Sequence, residues 1–211
     1  MADVGVRVAR REDVPAVTAT QIRAWKSRFA RFLPEGPLEQ MTGPSAEALW
    51  RRQWEEAVVT PPTPRHRLLV AVETLDPLSS LDVGSGAFPS DDLDLPPLPE
   101  PAQGAQAQYV VGLASHAPAE DPDLDAGTTA ELLTLLVDPG HTRRGHGSRL
   151  LNATVDHLRE DGFDTVVTWV FAEDGAMPGF LASAGWAPDE AERVLDMGRP
   201  IRMIRLTTDI S

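Results

Sequence analysis

The residue types with the greatest chemical potential stand together in one stretch, which reads Arg143, Arg144, Gly145, His146, Gly147, Ser148. An apolar run at 132–137 precedes this stretch and ends at the turn residues 138–140, as a buried strand would. After it, apolar residues recur at helical spacing over 150–158. A helix start has unpaired N–H groups and a partial positive charge, glycines admit a ligand, and arginines add charge. The stretch therefore predicts a phosphate-binding loop between a strand and a helix.

Three well-known motifs do not fit these residues. A Walker loop requires Lys and then Ser or Thr after its second glycine, but His146 and Gly147 follow Gly145. A dinucleotide fingerprint requires a third small residue where this chain has Leu150. A hydrolase nucleophile elbow around Ser183 fails because its first glycine is missing and no histidine follows it.

A fourth pattern fits. The loop at 143–148 closely resembles the acyl-CoA pyrophosphate loop of the GNAT N-acetyltransferase superfamily. Residues 180–186 resemble the helix and Gly-aromatic turn before the last strands of that family, and 22–29 is similar to a substrate-side helix. Two positions depart from the family pattern. Thr142 stands where members usually carry Gln or Arg, and Leu181 stands where many carry the Tyr that acts as general acid, so the acid is left unassigned.

The resemblance implies an α/β (α+β) GNAT fold, with a mixed central β-sheet of six to seven strands flanked by helices. It implies an acyl-CoA-dependent N-acyltransferase that moves acetyl from acetyl-CoA to a primary amine of a small molecule or peptide by direct attack. The loop would hold the pyrophosphate, Leu135 and Val137 would pair with the pantetheine amides, and no metal is expected. The alternative is a noncatalytic acyl-CoA-binding or regulatory domain of the same fold, which the missing Tyr favours.

Further site residues follow from the same resemblance. Glu131 stands where some relatives keep a glutamate that acts as base, often through water; the alternative is a solvated carboxylate at a strand end. Trp25 and Phe29 would line an acceptor pocket, although aromatic residues at this spacing more often pack in a core. The side chain of His146 is expected to point outward from the loop; the alternative is a contact between its ring and the phosphate. His141 and His146 do not predict a zinc site, because no third ligand is nearby.

The elements that must position these residues are expected to form a single domain over 1–211. Apolar alternation and continuous apolar runs predict strands at 4–8, 68–73, 109–115, 132–137, 165–171, 193–196 and 201–206. Helices are predicted at 13–33 (with a break near residue 26 as an alternative), at 46–59, after the glycine loop and at 179–184. The strand at 165–171 should lie parallel to the central strand.

Residues 75–108 contain six prolines and no basic residue, and predict an acidic loop insertion; a second acidic loop is predicted at 116–128.

The composition limits partners and compartment. The net charge is −13, and the region 68–142 holds 13 acidic residues and no Lys or Arg. Such a negative field disfavours binding to nucleic acid and to anionic membranes, and is compatible with a cationic small molecule or basic peptide as partner.

The absence of Cys excludes disulfides and thiolate metal sites, and neither a signal-peptide pattern nor a membrane-length apolar run occurs. We therefore expect a cytoplasmic protein without a membrane partner. Homodimers are common in the family that the chain resembles, but the sequence does not set the oligomeric state.

Overall fold

The computed structural model describes residues 3–75 and 107–211, which form a seven-stranded mixed sheet flanked by helices. The strands are β1 (Asp3–Val8), β2 (Arg67–Leu75), β3 (Ala107–Pro118), β4 (Thr129–Val137), β5 (Thr165–Phe171), β6 (Ala187–Asp196) and β7 (Pro200–Asp209). The helices are α1 (Val14–Phe29), α2 (Glu35–Thr42), α3 (Pro44–Val59), α4 (His146–Glu160) and α5 (Ala176–Ser183). The strand order is β1-β2-β3-β4-β5-β7-β6, and only β4 and β5 pair in parallel. The predicted fold class and the parallel central pair are confirmed.

Both faces of the central strands are buried, which explains their continuous apolar runs. In β2, Leu69 belongs to the cluster under α4 and α5, whereas the adjacent Leu68 and Val70 belong to the cluster under α1 and α3. In β4, Leu135 and Leu136 divide between the same two clusters. Successive side chains of a strand point to opposite faces, so a strand covered by helices on both sides needs apolar residues at every position.

β4 is irregular on both edges. Its pairing with β3 contains a bulge, because Ser115 faces Thr134 while the next residue, His116, faces Leu132. The additional residue, Leu133, is 54% exposed. On the other edge, the ladder with β5 covers only residues 129–131 of β4. Beyond this point the two strands part, so the backbone groups of the C-terminal half of β4 face a gap on that side.

Some predicted boundaries need correction. α1 runs unbroken through Lys26, so the alternative break is absent. α2 was not predicted, because Gly36 and Pro37 in its first turn resemble helix breakers. The predicted loop at 116–128 is shorter than expected, since β3 continues into it. The predicted insertion at 75–108 lies outside the described residues except for its ends, which belong to β2 and β3.

Within 3–75 and 107–211, no helix combines the length and apolar character needed to cross a membrane.

Candidate functional site

The residues 143–148 form a tight turn that leads directly into α4. Gly145 precedes the helix with a left-handed φ of 81°, and Arg143 has a φ of 64°. A Cβ on Gly145 would lie 3.1 Å from the guanidinium of Arg149, which itself donates to the carbonyl of Arg144 at 2.9 Å. Position 145 therefore requires glycine for its backbone conformation and for its close neighbour. The first N–H groups of α4 are left without helical partners at this turn.

Asp138 fixes the beginning of the turn. One carboxylate oxygen accepts a hydrogen bond from the backbone N–H of Gly140 at 2.9 Å, and the other accepts one from Nε of Arg23 at 2.7 Å. Burial works against the charge of Asp138, but these donors outweigh it and lower the pKa of the carboxyl. Because Arg23 belongs to α1, this ion pair ties the turn to the helix across the sheet.

The side chain of His146 points into the protein, so the expectation that it points outward is wrong. It is 1% exposed, and its Nε2 hydrogen-bonds Oε1 of Glu73 on β2 at 2.9 Å. Arg144 also faces Glu73, at 3.8 Å, instead of a ligand cavity. Only the backbone of His146 is available to a ligand in the turn. The sequence contained a signal for this burial, since His146 lies four residues before Leu150 and shares the buried stripe of α4.

A cavity of about 980 Å³ lies along the unpaired end of β4. It is lined by Leu135, Leu136 and Val137 of β4, by Arg143 and residues 145–148 of the turn, and by Phe180 of α5. The structure therefore brings together the predicted strand residues and most of the predicted loop residues. Gly147 is half-buried in this wall, and a Cβ there would contact the ring of Phe180 at 3.6 Å.

Two arginines that the sequence did not single out also line this cavity. Arg28 forms an ion pair with the buried Asp174, and Asp174 in turn accepts from the backbone N–H of Ala176 at 3.1 Å at the start of α5. Arg31 lies just beyond the end of α1 on the same wall. Arg31 and Arg143 offer positive charge to a polyanionic ligand, whereas the charge of Arg28 is balanced by Asp174. Glu173, which also lines the cavity, is paired with Arg199. Arg28 and Arg31 are three residues apart at the end of a helix, and this spacing was the signal by which the sequence could have identified them.

Glu131 is half-buried on β4 and lines neither this cavity nor the second one described below. Its pKa is raised, first because burial disfavours the carboxylate and then because Asp121 is nearby; Arg193 opposes the shift. Asp121 is held in place by Arg205 at 3.0 Å and by Nε1 of Trp169 at 2.8 Å. A carboxylate with a raised pKa is a better proton acceptor near neutral pH.

A second cavity, of about 450 Å³, lies between α1, α3 and the sheet. Trp25 lines it, but Phe29 lines neither cavity. Phe29 instead packs with Leu33 and Ile201 in a buried cluster, so its assignment to an acceptor pocket is corrected to a core role. Leu181 is a fully buried residue of α5, so the residue at the usual Tyr position does not reach the large cavity.

In the two described ranges, no group of three or more His, Asp or Glu side chains is placed to hold a metal ion.

Comparison with known proteins gave matches to one family. Residues 92–186 match the acetyltransferase (GNAT) family. The PaiA N-acetyltransferase of Thermoplasma acidophilum, solved with coenzyme A, has a TM-score of 0.64 at 15% identity, covering 98% of this chain and 99% of that one. The ribosomal-protein-alanine N-acetyltransferase of Brucella melitensis has a TM-score of 0.59 at 19% identity, covering 97% and 99%. For yncA of Salmonella typhimurium, solved with its cofactor acetyl-CoA, the TM-score is 0.58 at 16% identity, covering 99% and 95%.

A search of the curated proteins found no match. At these low identities the solved structures establish the fold alone, and the family match adds the sequence evidence over the central strand, the glycine turn and α5. The turn at 143–148, the parted strands β4 and β5 and the shared fold agree with the match of residues 92–186 to the acetyltransferase (GNAT) family.

Proposed function

We propose that this chain is an acyl-CoA-dependent N-acyltransferase that transfers an acetyl group from acetyl-CoA to a primary amine. The observation that carries the proposal is the cavity of about 980 Å³ that runs along the unpaired edge of β4 and ends at the N-terminus of α4. It joins an anion site to a free strand edge, and a ligand with a pyrophosphate and two amides needs both. Two proteins of similar fold were solved with coenzyme A or acetyl-CoA, which supports this choice of ligand.

The pyrophosphate binds at the turn. The backbone N–H groups of residues 145–148 lie at the positive end of α4, and Arg143 stands beside them. Arg31 adds positive charge from just beyond the end of α1, while Arg28 on the same wall is paired with Asp174. His146 contributes its backbone N–H only, because its imidazole is engaged by Glu73.

The pantetheine arm pairs with β4. Leu135 and Val137 are two residues apart, so their backbone groups point to the same edge of the strand, and that edge lacks β5 as a partner. An extended ligand with amide groups can add to such an edge as a further strand. This orientation carries the thioester from the turn toward the bulge at Leu133.

The transfer itself needs one proton acceptor and the placement of the amine beside the thioester carbonyl. The ammonium of the acceptor loses a proton to Glu131, directly or through a water molecule, and the neutral amine attacks the thioester carbonyl carbon. The C–N bond forms, the C–S bond breaks, and the second proton of the amine nitrogen passes through water to the leaving thiolate, which gives the neutral amide and free coenzyme A. Leu181 cannot supply that proton, because it is an apolar side chain buried in the core.

The burial of Leu181 at the usual acid position also favours a second candidate function, a noncatalytic acyl-CoA-binding domain of the same fold. Turnover separates the two. Purified protein is incubated with acetyl-CoA and a panel of primary amines, while the free thiol and the N-acetyl product are measured. Release of coenzyme A together with product supports the transferase. Binding of acetyl-CoA without product supports the second function, and absence of binding overturns both.

A further inference from the structure

The second cavity, of about 450 Å³, is not needed for the proposed binding of acetyl-CoA. We name it the tryptophan pocket, after the three tryptophans in its lining. Its lining includes Trp25 from α1, Trp50 and Trp54 from α3, Leu68 from β2, and Leu133 and Thr134 from β4. Its volume lies within the range of roughly 300–1,000 Å³ that is usual for small-molecule sites.

The indole rings of this pocket are held in fixed positions. Nε1 of Trp50 donates to the carbonyl of Met41 at 2.8 Å, and Nε1 of Trp54 donates to Oε1 of the buried Gln21. The rings of Trp25 and Trp50 meet edge to face at 5.1 Å. The polar atoms of Trp50 and Trp54 are thus satisfied, and the ring faces form a preorganised apolar wall. Such walls favour a planar aromatic ligand, because little side-chain entropy is lost when it binds.

The pocket adjoins the position that the acyl group would reach. Trp25 follows Ala24, which lines the larger cavity, and Thr134 is two residues from Leu136, which also lines it. Two residues of a strand span about 7 Å. A ligand in the tryptophan pocket would therefore meet the end of the pantetheine arm near the bulge at Leu133.

The pocket also has its own route to solvent. Thr60 and Pro62 belong to its lining and are exposed, as is Glu56 on the last turns of α3. These residues are at the α3 end of the pocket, whereas the turn that holds the pyrophosphate belongs to the other cavity. An acceptor could enter here while acetyl-CoA is bound.

Beside the bulge the lining consists of Trp25, Leu68, Leu133 and Thr134 together with Ser115, His116 and Arg67. The guanidinium of Arg67 is already engaged by Asp161, so this part of the pocket offers an ammonium no free carboxylate among its lining residues. An ammonium brought there is desolvated, which lowers the pKa of the amine and favours the neutral nucleophile. A polyamine could place one charge near Glu56 at the exposed end of the pocket, but its inner charges would be desolvated without a partner.

We infer that the tryptophan pocket binds the acceptor, and that the acceptor is a primary amine on an apolar aromatic framework. The aromatic group stacks against Trp50 and Trp54, and the amine points toward the bulge at Leu133. This inference rests on the proposed transferase function for the reaction, but the binding itself can be measured without turnover.

Intrinsic fluorescence gives the direct test, because three of the five tryptophans line the pocket. The protein loaded with coenzyme A is titrated with 2-phenylethylamine, ethylamine or spermidine under excitation of tryptophan alone. We expect saturable quenching or a spectral shift with 2-phenylethylamine and none with the two other amines. Equal responses to all three amines, or none to any, would overturn the inference.

Matched variants locate the binding site. Ala57 lines the pocket from α3, whereas Ala48 is exposed on the same helix and does not line it. Ala57→Phe should fill the pocket and remove the fluorescence response, with the coenzyme A-induced thermal shift unchanged, and Ala48→Phe should behave like the parent. The smaller Ala57→Leu serves if Ala57→Phe does not fold, and should weaken binding at least tenfold. An unchanged response in the variants at position 57 contradicts the inference.

Turnover distinguishes this inference from the proposed function. If Ala57→Phe raises the Michaelis constant for 2-phenylethylamine tenfold or more and leaves that for acetyl-CoA unchanged, both stand. If spermidine is acetylated equally well by the parent and by Ala57→Phe, the transferase stands and the aromatic pocket is refuted. If octanoyl-CoA, but not acetyl-CoA, displaces 2-phenylethylamine, the pocket holds an acyl chain and the inference is overturned.

Discussion

The imidazole of His146 and the carboxylate of Glu73 meet 2.9 Å apart beneath the turn that opens α4. Glu73 belongs to β2 and His146 is the first residue of the helix, so the contact fixes the helix start to the sheet. His141 extends the contact, with its Nε2 at 3.6 Å from the second oxygen of Glu73. The ligand-facing backbone of the turn is therefore supported from behind by a buried acid and two histidines.

Glu73→Ala should weaken both the fold and the phosphate site. It leaves the buried imidazole of His146 without its partner, which costs about 1–3 kcal/mol of unfolding free energy. We expect a lower stability in denaturant titration and a smaller coenzyme A-induced thermal shift. Glu160→Ala is the control, because Glu160 is exposed and its pair with His157 is worth at most about 1 kcal/mol. Equal stabilities of the two variants would mean that the contact does not hold the turn.

Substitution of Gly145 should remove coenzyme A binding. A left-handed conformation costs roughly 1–2 kcal/mol for a residue with a Cβ, and Gly145→Glu also brings negative charge to the phosphates. The parent should gain about 2.7 kcal/mol at a ligand concentration of about 100 times the dissociation constant, and Gly145→Glu should gain nothing. Gly179→Ala is the matched control, since a Cβ there meets nothing within 4 Å. A normal ligand shift in Gly145→Glu would refute the pyrophosphate site.

Glu131→Gln should lower kcat by ~10²-fold or more and leave the affinity for acetyl-CoA nearly unchanged. The raised pKa of Glu131 sets the pH dependence: the carboxylate is the active form, so kcat of the parent falls as pH drops through that pKa. Above it, kcat should not depend on this group. The neighbouring Glu120→Gln, which keeps Glu131, is the control. Steady-state rates across pH that are equal in the parent and Glu131→Gln would exclude Glu131 as the base.

His116 should make the protein less stable in mild acid. It is almost fully buried on β3, and burial, followed by Arg67, His157 and His66, lowers its pKa from 6.5 to about 4. Below pH 6.5 His116 is protonated in the unfolded chain, whereas in the folded chain it is protonated only near pH 4. The free energy of unfolding therefore falls as pH drops through this interval and is independent of His116 above it.

Denaturant titrations at pH 7 and pH 5 measure this effect. Between these values the free energy of unfolding of the parent should fall by about 2 kcal/mol more than that of His116→Leu, because leucine does not titrate. At pH 7 the variant should be at least as stable as the parent, since neither ring nitrogen of His116 has a hydrogen-bond partner among the residues that the structure describes. The same loss in both proteins would assign the acid sensitivity to other groups.

The strand-turn-helix unit around the glycine turn could be predicted because its determinants are contiguous. An apolar run, turn residues, glycines and a helical stripe follow one another within about thirty residues, and each signal is local. The parallel placement of β5 followed from the helix between it and β4, because such a crossover favours a parallel neighbour. The family could be recognised from the same residues.

The missed features depend on contacts that are distant in sequence. The inward direction of His146 depends on Glu73, which is 73 positions away. The places of Arg28 and Arg31 in the cavity wall depend on how α1 packs across the sheet. Phe29 was assigned to a pocket from the family resemblance, whereas its helical spacing favoured the core role that the structure shows.

The short ladder between β4 and β5 divides the sheet into two hydrogen-bonded halves, β1–β4 and β5-β7-β6. They are joined by residues 129–131 of β4 and by the flanking hydrogen bonds to the carbonyls of Thr128 and Leu132. A pantetheine arm paired with Leu135 and Val137 would extend this junction, because it would add hydrogen bonds along the free edge of β4. Bound acetyl-CoA would then couple the two halves mechanically, and amide exchange should slow at Leu135 and Val137 when it binds. Departure of coenzyme A would remove these hydrogen bonds, so in each turnover the two halves of the sheet would alternate between more and fewer connecting bonds.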